Sequence, residues 1–322
     1  MVNIGIIGCG KMANAHAFEI MRISDACISA VCDLDVGKRT EFAEKYGAKP
    51  YADYTEMTKS ANLDLVMICL PPALHGDCVR HCAKMGINVF VEKPMGIDAS
   101  DCRSMIDECK KNNVMLWVGH MQKYSVENRI AKELIESGKY GKLVAINEIR
   151  SCKYPADTSP KWLMDRKIAG GGMMYNLGAH TLDMAQYLGD SKIRLSECSA
   201  NFVDGEAENM ASGFLKLEND VAVTFNLLGS CKVRRYRIEL YLTEGQIFIT
   251  PWEKVEACGV DGEIKLIKET SQLYADRKEA WQYHQLCDII SAVRNGEKVN
   301  SGEYGLGIIE CLEKLYKSAG RK

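Results

Sequence analysis

The stretch Val2-Asn3-Ile4-Gly5-Ile6-Ile7-Gly8-Cys9-Gly10-Lys11-Met12-Ala13 decides the fold: an apolar strand candidate runs straight into a G-x-G-x-x-A turn that opens a helix. Gly8 permits a tight turn, Gly10 lets backbone approach a pyrophosphate, and Ala13 is small enough for helix to pack on strand. Lys11 and Met12 fall on the first helical turn, where free N–H groups and the positive dipole end favour phosphate. Alone the glycine pattern is weak, since many turns contain it. Its place between strand and helix strengthens it, as does Asp33 at the end of the next strand. That carboxylate can accept hydrogen bonds from adenosine ribose hydroxyls and would repel a 2′-phosphate, which favours NAD over NADP. Lys38 and Arg39 follow closely enough to soften the repulsion.

Working outward, residues 1–120 alternate short apolar runs with amphipathic stretches, the pattern of a parallel sheet covered by helices. Strands are expected at Val2–Ile7, Cys27–Cys32, Leu65–Leu70, Asn88–Val91 and Val114–Val118, all nearly continuous in apolar residues, as strands buried on both faces are. Helices are expected at Met12–Met21, Val36–Tyr46, Leu74–Met85 and Ala99–Lys111, with stops at Gly47, Gly86 and Asn112. The pattern changes after Gly119. A helix near Val126–Ser137 leads past Gly138 and Gly141 into alternating segments. Val221, Val223, Phe225 and Leu227 share one face, as do Ile238 and Leu240, and Asn219-Asp220 and Glu244-Gly245 mark turns. Helices at Asp276–Arg294 and Glu303–Ser318 follow. The fold class is therefore α/β, a doubly wound Rossmann domain over 1–120, then an α+β domain over 121–322 with an open, mainly antiparallel sheet. The last helix is left free to pack back on the first domain.

The chain has 322 residues, enough for two domains, with 47% hydrophobic and 26% charged residues, an ordinary globular composition. With 41 Lys and Arg against 43 Asp and Glu, the formal charge is −2, and no basic patch stands out, which argues against nucleic acid. The longest uncharged runs, Leu65–Leu74 and Ile168–Leu182, fall short of the roughly 20 apolar residues a bilayer needs. No membrane partner is expected, and without a basic leader the chain reads as cytoplasmic. Its 14 cysteines then read as reduced core filler. His75, Cys78, His81 and Cys82 lie close together, but no CxxC pair exists, and packing is preferred to metal.

Chemistry concentrates at two places. Strand Asn88–Val91 ends in Glu92-Lys93-Pro94, placing Lys93 at the C-terminal end of a parallel strand, where such sheets bind ligands; Leu70-Pro71-Pro72 and His75 leave the preceding strand in the same way. Downstream, the glycines 170–172 lead into a helix through His180-Thr181-Leu182-Asp183. At 100° per residue Asn176, His180, Asp183 and Tyr187 form a polar stripe beside Leu177, Thr181, Met184 and Leu188, fitting a helix that lines a cleft. Hydride transfer to or from a nicotinamide needs a group within hydrogen-bond reach to move the accompanying proton, and histidine titrates near neutrality unaided. His180 is therefore the proton-transfer candidate and Lys93 the cation that stabilises an alkoxide. Trp162, beside Lys161, is a pocket wall or a core residue, and Lys123 and Tyr124 are candidate substrate contacts. His120 contacts substrate or caps its strand. His16, away from the strand ends, is read as structural, His81 and His284 as solvent-facing, Glu92 as orienting Lys93 or the nicotinamide end of the cofactor, and Asp183 as supporting the stripe.

In these motifs, taken in order over nearly the whole length, the chain resembles the Gfo/Idh/MocA oxidoreductases. The resemblance implies hydride transfer between a nicotinamide and a sugar, cyclitol or related carbinol, and a homodimer or homotetramer packed through the second sheet. It implies that Lys93 touches both the nicotinamide ribose and the reacting hydroxyl, and that His180 gives or takes the proton. Where the family usually has aspartate this chain has Asn176, which can only orient by hydrogen bonding. Two other readings stay open, a glycoside-cleaving enzyme using tightly bound NAD for transient oxidation and elimination, and a non-catalytic nucleotide sensor. Asp33 predicts tighter binding of NADH than of NADPH; titration of each against intrinsic tryptophan fluorescence gives the two dissociation constants, and the opposite order refutes the assignment.

Overall fold

The computed structural model describes residues 1–203, 207–275, 280–297 and 299–320. They form two compact units, Met1–His120 with Gln282–Ile309, and Met121–Trp281 with the residues from Glu310 onward.

The first unit carries β1 (Val2–Ile7), α1 (Lys11–Ile20), β2 (Ala26–Cys32), α2 (Val36–Tyr46), β3 (Lys49–Tyr51), α3 (Tyr54–Ser60), β4 (Leu65–Ile68), α4 (His75–Lys84), β5 (Asn88–Val91), α5 (Ala99–Lys111) and β6 (Leu116–Val118). The strands form one sheet in the order β3-β2-β1-β4-β5-β6, every pair parallel. This is the doubly wound order, in which the chain reverses direction across the sheet between β1 and β4 and leaves a crevice at the strand ends. Local chemistry sets the helix ends: Asp35, Asp53 and Asp98 accept the amides of Lys38, Thr55 and Asp101 at the starts of α2, α3 and α5. Gly47, at φ +69°, closes α2.

Two elements here had no sequence signal. β3 is three residues long and contains Pro50, which an edge strand tolerates because one row of its backbone groups needs no partner. α3 buries only Met57 and Thr58, too few for a helical period.

The second unit carries α6 (Val126–Glu136), β7 (Leu143–Lys153), α7 (Arg166–Ala169), α8 (Ala179–Gly189), β8 (Ile193–Val203), β9 (Ala207–Leu217), β10 (Ala222–Leu228), β11 (Ser230–Leu242), β12 (Gly245–Thr250), β13 (Lys254–Gly259), β14 (Lys265–Glu269) and α9 (Ser271–Ala275). Its eight-stranded sheet runs β14-β13-β12-β11-β7-β10-β9-β8. Pairing is antiparallel throughout except that β10 lies parallel to β7. Val223, Phe225, Leu227, Ile238 and Leu240 are all buried, as strict alternation requires when one face is covered.

Two helices remain, α10 (Trp281–Asn295) and α11 (Gly302–Ser318). Of the helix expected at Asp276–Arg294, residues 276–279 lie outside the described residues. The units divide at 120/121, and residues 282–309, expected in the second domain apart from the last helix, cluster with the first. Leu286, Ile289, Ile290 and Ala292 of α10 are buried in the core built from Ile4, Ile6, Ala17, Phe42, Met67 and Phe90. An amphipathic helix shows that it has a buried face, not which core takes it.

The loop before α8 is held from β9. Fully buried Glu208 accepts the amides of Gly172 at 3.0 Å and Met174 at 2.7 Å, and the Tyr316 hydroxyl at 2.7 Å. A Cβ on Gly172 would collide with the Glu208 backbone, which is why that glycine carries no side chain. Glu208→Ala leaves three buried donors unpaired and is expected to lower the unfolding free energy by about 3 kcal/mol, read from urea denaturation.

Candidate active site

Backbone hydrogen bonds bring the strand ends into line. The Cys69 amide donates to the Ile7 carbonyl, Glu92 to Ile68, and Gly119 to Val91. The segments leaving β1, β4, β5 and β6 therefore emerge side by side. Gly8 sits at φ +92°, and a Cβ there would lie 2.6 Å from the Cys69 carbonyl oxygen, so both the turn and the close approach demand glycine. Gly10 differs. A Cβ there would meet nothing within 4 Å, and α1 has no side-chain cap on its N-terminal amides, whereas α2, α3, α5 and α6 are all capped by Asp or Ser. Uncapped amides facing open space form an anion cradle.

Asp33 is half-buried, and its carboxylate accepts the Cys9 amide at 2.8 Å and the Asp35 amide at 2.9 Å, so it stiffens the glycine turn. Each oxygen keeps a lone pair for a further donor. Arg39 donates to the Asp33 backbone carbonyl at 2.6 Å, while the exposed Lys38 ammonium pairs with Asp35 at 3.7 Å. Lys11 is exposed, and Met12, Leu70 and Pro71 are half-buried.

Lys93, half-buried, follows β5 directly. Its backbone amide donates to Glu92 Oε2 at 3.1 Å, while the Glu92 Oε1 atom lies 2.6 Å from His16 Nε2. Both Glu92 and His16 are buried. Burial pushes the Glu92 carboxyl up, but the hydrogen bond and charge of His16, joined by Lys93, outweigh it and hold the group below the usual carboxylate range. His16 keeps its structural role but not its place away from the strand ends: about one and a half turns into α1, it reaches the end of β5. The pairing spans 76 positions, and no local pattern announces it.

His75 is fully buried, with Nδ1 3.1 Å from the Met95 carbonyl and Nε2 2.8 Å from the Leu70 carbonyl. Its ring ties the segment after β4 to the one after β5, so it shapes the crevice wall with both nitrogens already engaged. His81 is half-buried against Thr58 at 2.8 Å and edge-on to Tyr54, and His284 is half-buried beside Tyr283; neither is the solvent-facing residue expected. Buried His120 lies edge-on to Tyr304. Burial pushes the Cys78 thiol up to about 12, and among the described residues no group of three or more His, Cys, Asp or Glu is placed to hold a metal ion.

In the second unit the polar stripe takes a different form. Met174–Gly178 is a π turn, and α8 proper starts at Ala179, so the 100° spacing between Asn176 and His180 does not hold. Asn176 is half-buried and its amide donates to the Tyr154 hydroxyl at 3.3 Å; His180 and Asp183 are buried and Tyr187 is half-buried. Beneath α8 lies a network that sequence reasoning missed. Buried Arg150 on β7 is paired with Glu148 and bonded to the Tyr236 hydroxyl and, at 2.9 Å, to Gln122 Oε1. Thr181, next to His180, donates to Glu148 at 3.0 Å. The signal available was two charged residues on the inward side of an alternating strand. Lys123 is exposed with its ammonium 5.2 Å from the Tyr124 ring centre, and Trp162 is half-buried in a short 3-10 turn.

Residues 2–120 match the model described as an oxidoreductase family with an NAD-binding Rossmann fold, and residues 128–248 match the C-terminal domain of the same family. The chain belongs to the Gfo/Idh/MocA family. It is 33% identical to myo-inositol 2-dehydrogenase of Thermotoga maritima over 188 residues, which is 58% of this chain and 54% of the relative. It is 26% identical to D-glucoside 3-dehydrogenase of Escherichia coli over 58% of this chain and 54% of the relative. These matches thus span about half the length of those relatives. Inositol 2-dehydrogenase of Rhizobium meliloti aligns over 100% of the chain and 98% of its own length at 21% identity. Among solved structures, levoglucosan dehydrogenase in complex with NADH and levoglucosan superposes with a TM-score of 0.88 at 18% identity, covering 99% of this chain and 97% of that one. The aldose-aldose oxidoreductase of Caulobacter crescentus gives 0.88 at 21% identity, covering 99% and 97%. Both share the fold.

For a Gfo/Idh/MocA chain the cradle at α1 fits NAD: bare helical amides, open space beyond Gly10, and a carboxylate at the end of β2. Among the described residues no helix is long and apolar enough to cross a membrane. Gly10→Val separates binding from folding, because the backbone there, at φ −79° and ψ −167°, suits any residue. The melting temperature is expected to stay unchanged while NADH affinity falls about tenfold or more, a loss of roughly 1.4 kcal/mol, measured by fluorescence titration.

Proposed function

We propose that the protein transfers a hydride between NAD and a carbinol or ketone carbon of a sugar, cyclitol or related polyol. The observation that carries this reading is Lys93, an ammonium-bearing side chain whose backbone is pinned at the carboxyl end of β5, beside the strand ends that open the NAD crevice. The relatives named as inositol and glucoside dehydrogenases support the substrate class.

NAD, when bound, supplies the two-electron acceptor or donor. Lys93 stabilises the negative charge that develops on the substrate oxygen, which it does as a cation without giving up a proton. His180 is assigned the transfer of the hydroxyl proton. Asn176, an amide, orients by hydrogen bonding and takes no proton. Lys11, Met12 and the glycine turn hold the pyrophosphate, and Asp33 the adenosine ribose. Lys123, Tyr124 and Trp162 are proposed substrate contacts. The reading extends to a homodimer or homotetramer packed through the second sheet, and to a cytoplasmic protein.

A panel of inositols, aldoses, polyols and sugar acids, each followed by NADH absorbance, identifies the substrate. With the best of them, Lys93→Met is expected to lower kcat by about 10²–10⁴-fold while NAD affinity changes by less than about twofold. Turnover near the wild-type rate in that variant refutes the assignment.

A further inference from the structure

Glu92 and His16 sit next to the proposed catalytic lysine yet contribute nothing to the chemistry assigned above. Glu92 Oε2 receives the Lys93 amide at 3.1 Å and Oε1 receives His16 Nε2 at 2.6 Å. His16 is itself immobilised, with no exposed surface and its ring edge-on to Phe90 of β5 at 5.2 Å between centres. The histidine stands on α1, the helix whose N-terminus forms the anion cradle, so one chain of contacts runs from that helix through the carboxylate to the lysine backbone.

Burial pushes the Glu92 carboxyl up, but the hydrogen bond and charge of His16 and the charge of Lys93 outweigh it and favour the ionised carboxylate. His16 Nδ1 is buried and meets no hydrogen-bond partner. Cys69 and His75 also interact electrostatically with Glu92. Burial, then Glu92, raises the Cys69 thiol well above its usual value, and burial lowers the His75 imidazole. Gly119, whose Cβ would lie 3.3 Å from Glu92 Oε2, leaves the carboxylate room.

We infer that the His16–Glu92 couple is a positioning device for Lys93: it fixes the lysine backbone and places a buried negative charge beside it that keeps the ammonium protonated. Buried charges are otherwise retained only when paired, and Lys93 is the adjoining cation. The inference rests on the reading of Lys93 as an electrostatic catalyst. It goes further in assigning a task to two side chains that do not touch the substrate.

The test reads Lys93 directly. Competitive acetylation of the folded protein across a pH series, with the Lys93 peptide quantified by mass spectrometry, gives the midpoint at which the amine becomes reactive. In Glu92→Gln, that midpoint is expected to fall by about one pH unit or more, the size of losing a neighbouring opposite charge. The alkaline limb of kcat/KM is expected to move down with it. His16→Phe, which removes the donor, is expected to shift the midpoint the same way, and His16→Gln, which keeps an N–H, to recover most of the difference. Should Glu92→Gln fail to fold, the two His16 variants carry the comparison. An unchanged midpoint in folded variants overturns the inference. If the midpoint shifts but the wild type oxidises no alcohol in the panel, the proposed reaction fails and the electrostatic pairing stands. If turnover is present and the midpoint does not move, the reverse holds.

Discussion

The parallel hydrogen bonding that continues past β1, β4 and β5 is the constraint on which the first unit's chemistry depends. Three backbone bonds beyond the last strand residues, Cys69 to Ile7, Glu92 to Ile68 and Gly119 to Val91, keep the exiting segments in register. Gly8 meets the Cys69 carbonyl because of that register, and Glu92 stands within reach of α1 for the same reason. Parallel strands buried on both faces hold such a register because a slip would strand backbone donors in an apolar core. Side chains at the strand ends are thereby placed by the sheet as a whole, with little freedom of their own.

The second unit reaches comparable rigidity by a different route. Its glycine-rich loop has little side-chain packing of its own and is held by one carboxylate, Glu208, which takes two loop amides and a tyrosine hydroxyl. Below α8 the Glu148–Arg150 pair ties β7 to β11 and to the helix through Tyr236 and Thr181. Buried ion pairs contribute little net stability, since desolvation offsets their attraction, but each partner must stay where the other is. In both units the polar residues kept inside the protein act as geometric clamps near the elements that carry Lys93 and His180.

Much of the site was legible because its residues obey local rules. The turn at Gly8 requires positive φ, the open position at Gly10 requires the absence of a side chain, and Lys93 follows a strand whose apolar run and proline stop are visible in sequence. The histidines were less legible. His16, His75 and His81 are each fixed by a partner outside their own helix: Glu92, the Leu70 and Met95 carbonyls, and Thr58. The π turn at Met174–Gly178 was hidden for a related reason. A period of 3.6 was assumed, and the widened turn follows a loop whose amides are gripped by Glu208.

By itself the sequence determined the order of strands and helices, the doubly wound class, the phosphate-cradling turn and the residue types able to move a hydride's accompanying proton. Those follow from periodicity, from glycine's backbone freedom and from side-chain chemistry, all of which act within a few residues. Tertiary structure alone decided that α10 packs its apolar face into the first core, that His16 clasps Glu92, and that Arg150 lies buried beneath α8. Each of those is a choice of partner among many chemically equivalent ones far along the chain, and only the packed sheets, by fixing which surfaces meet, make the choice.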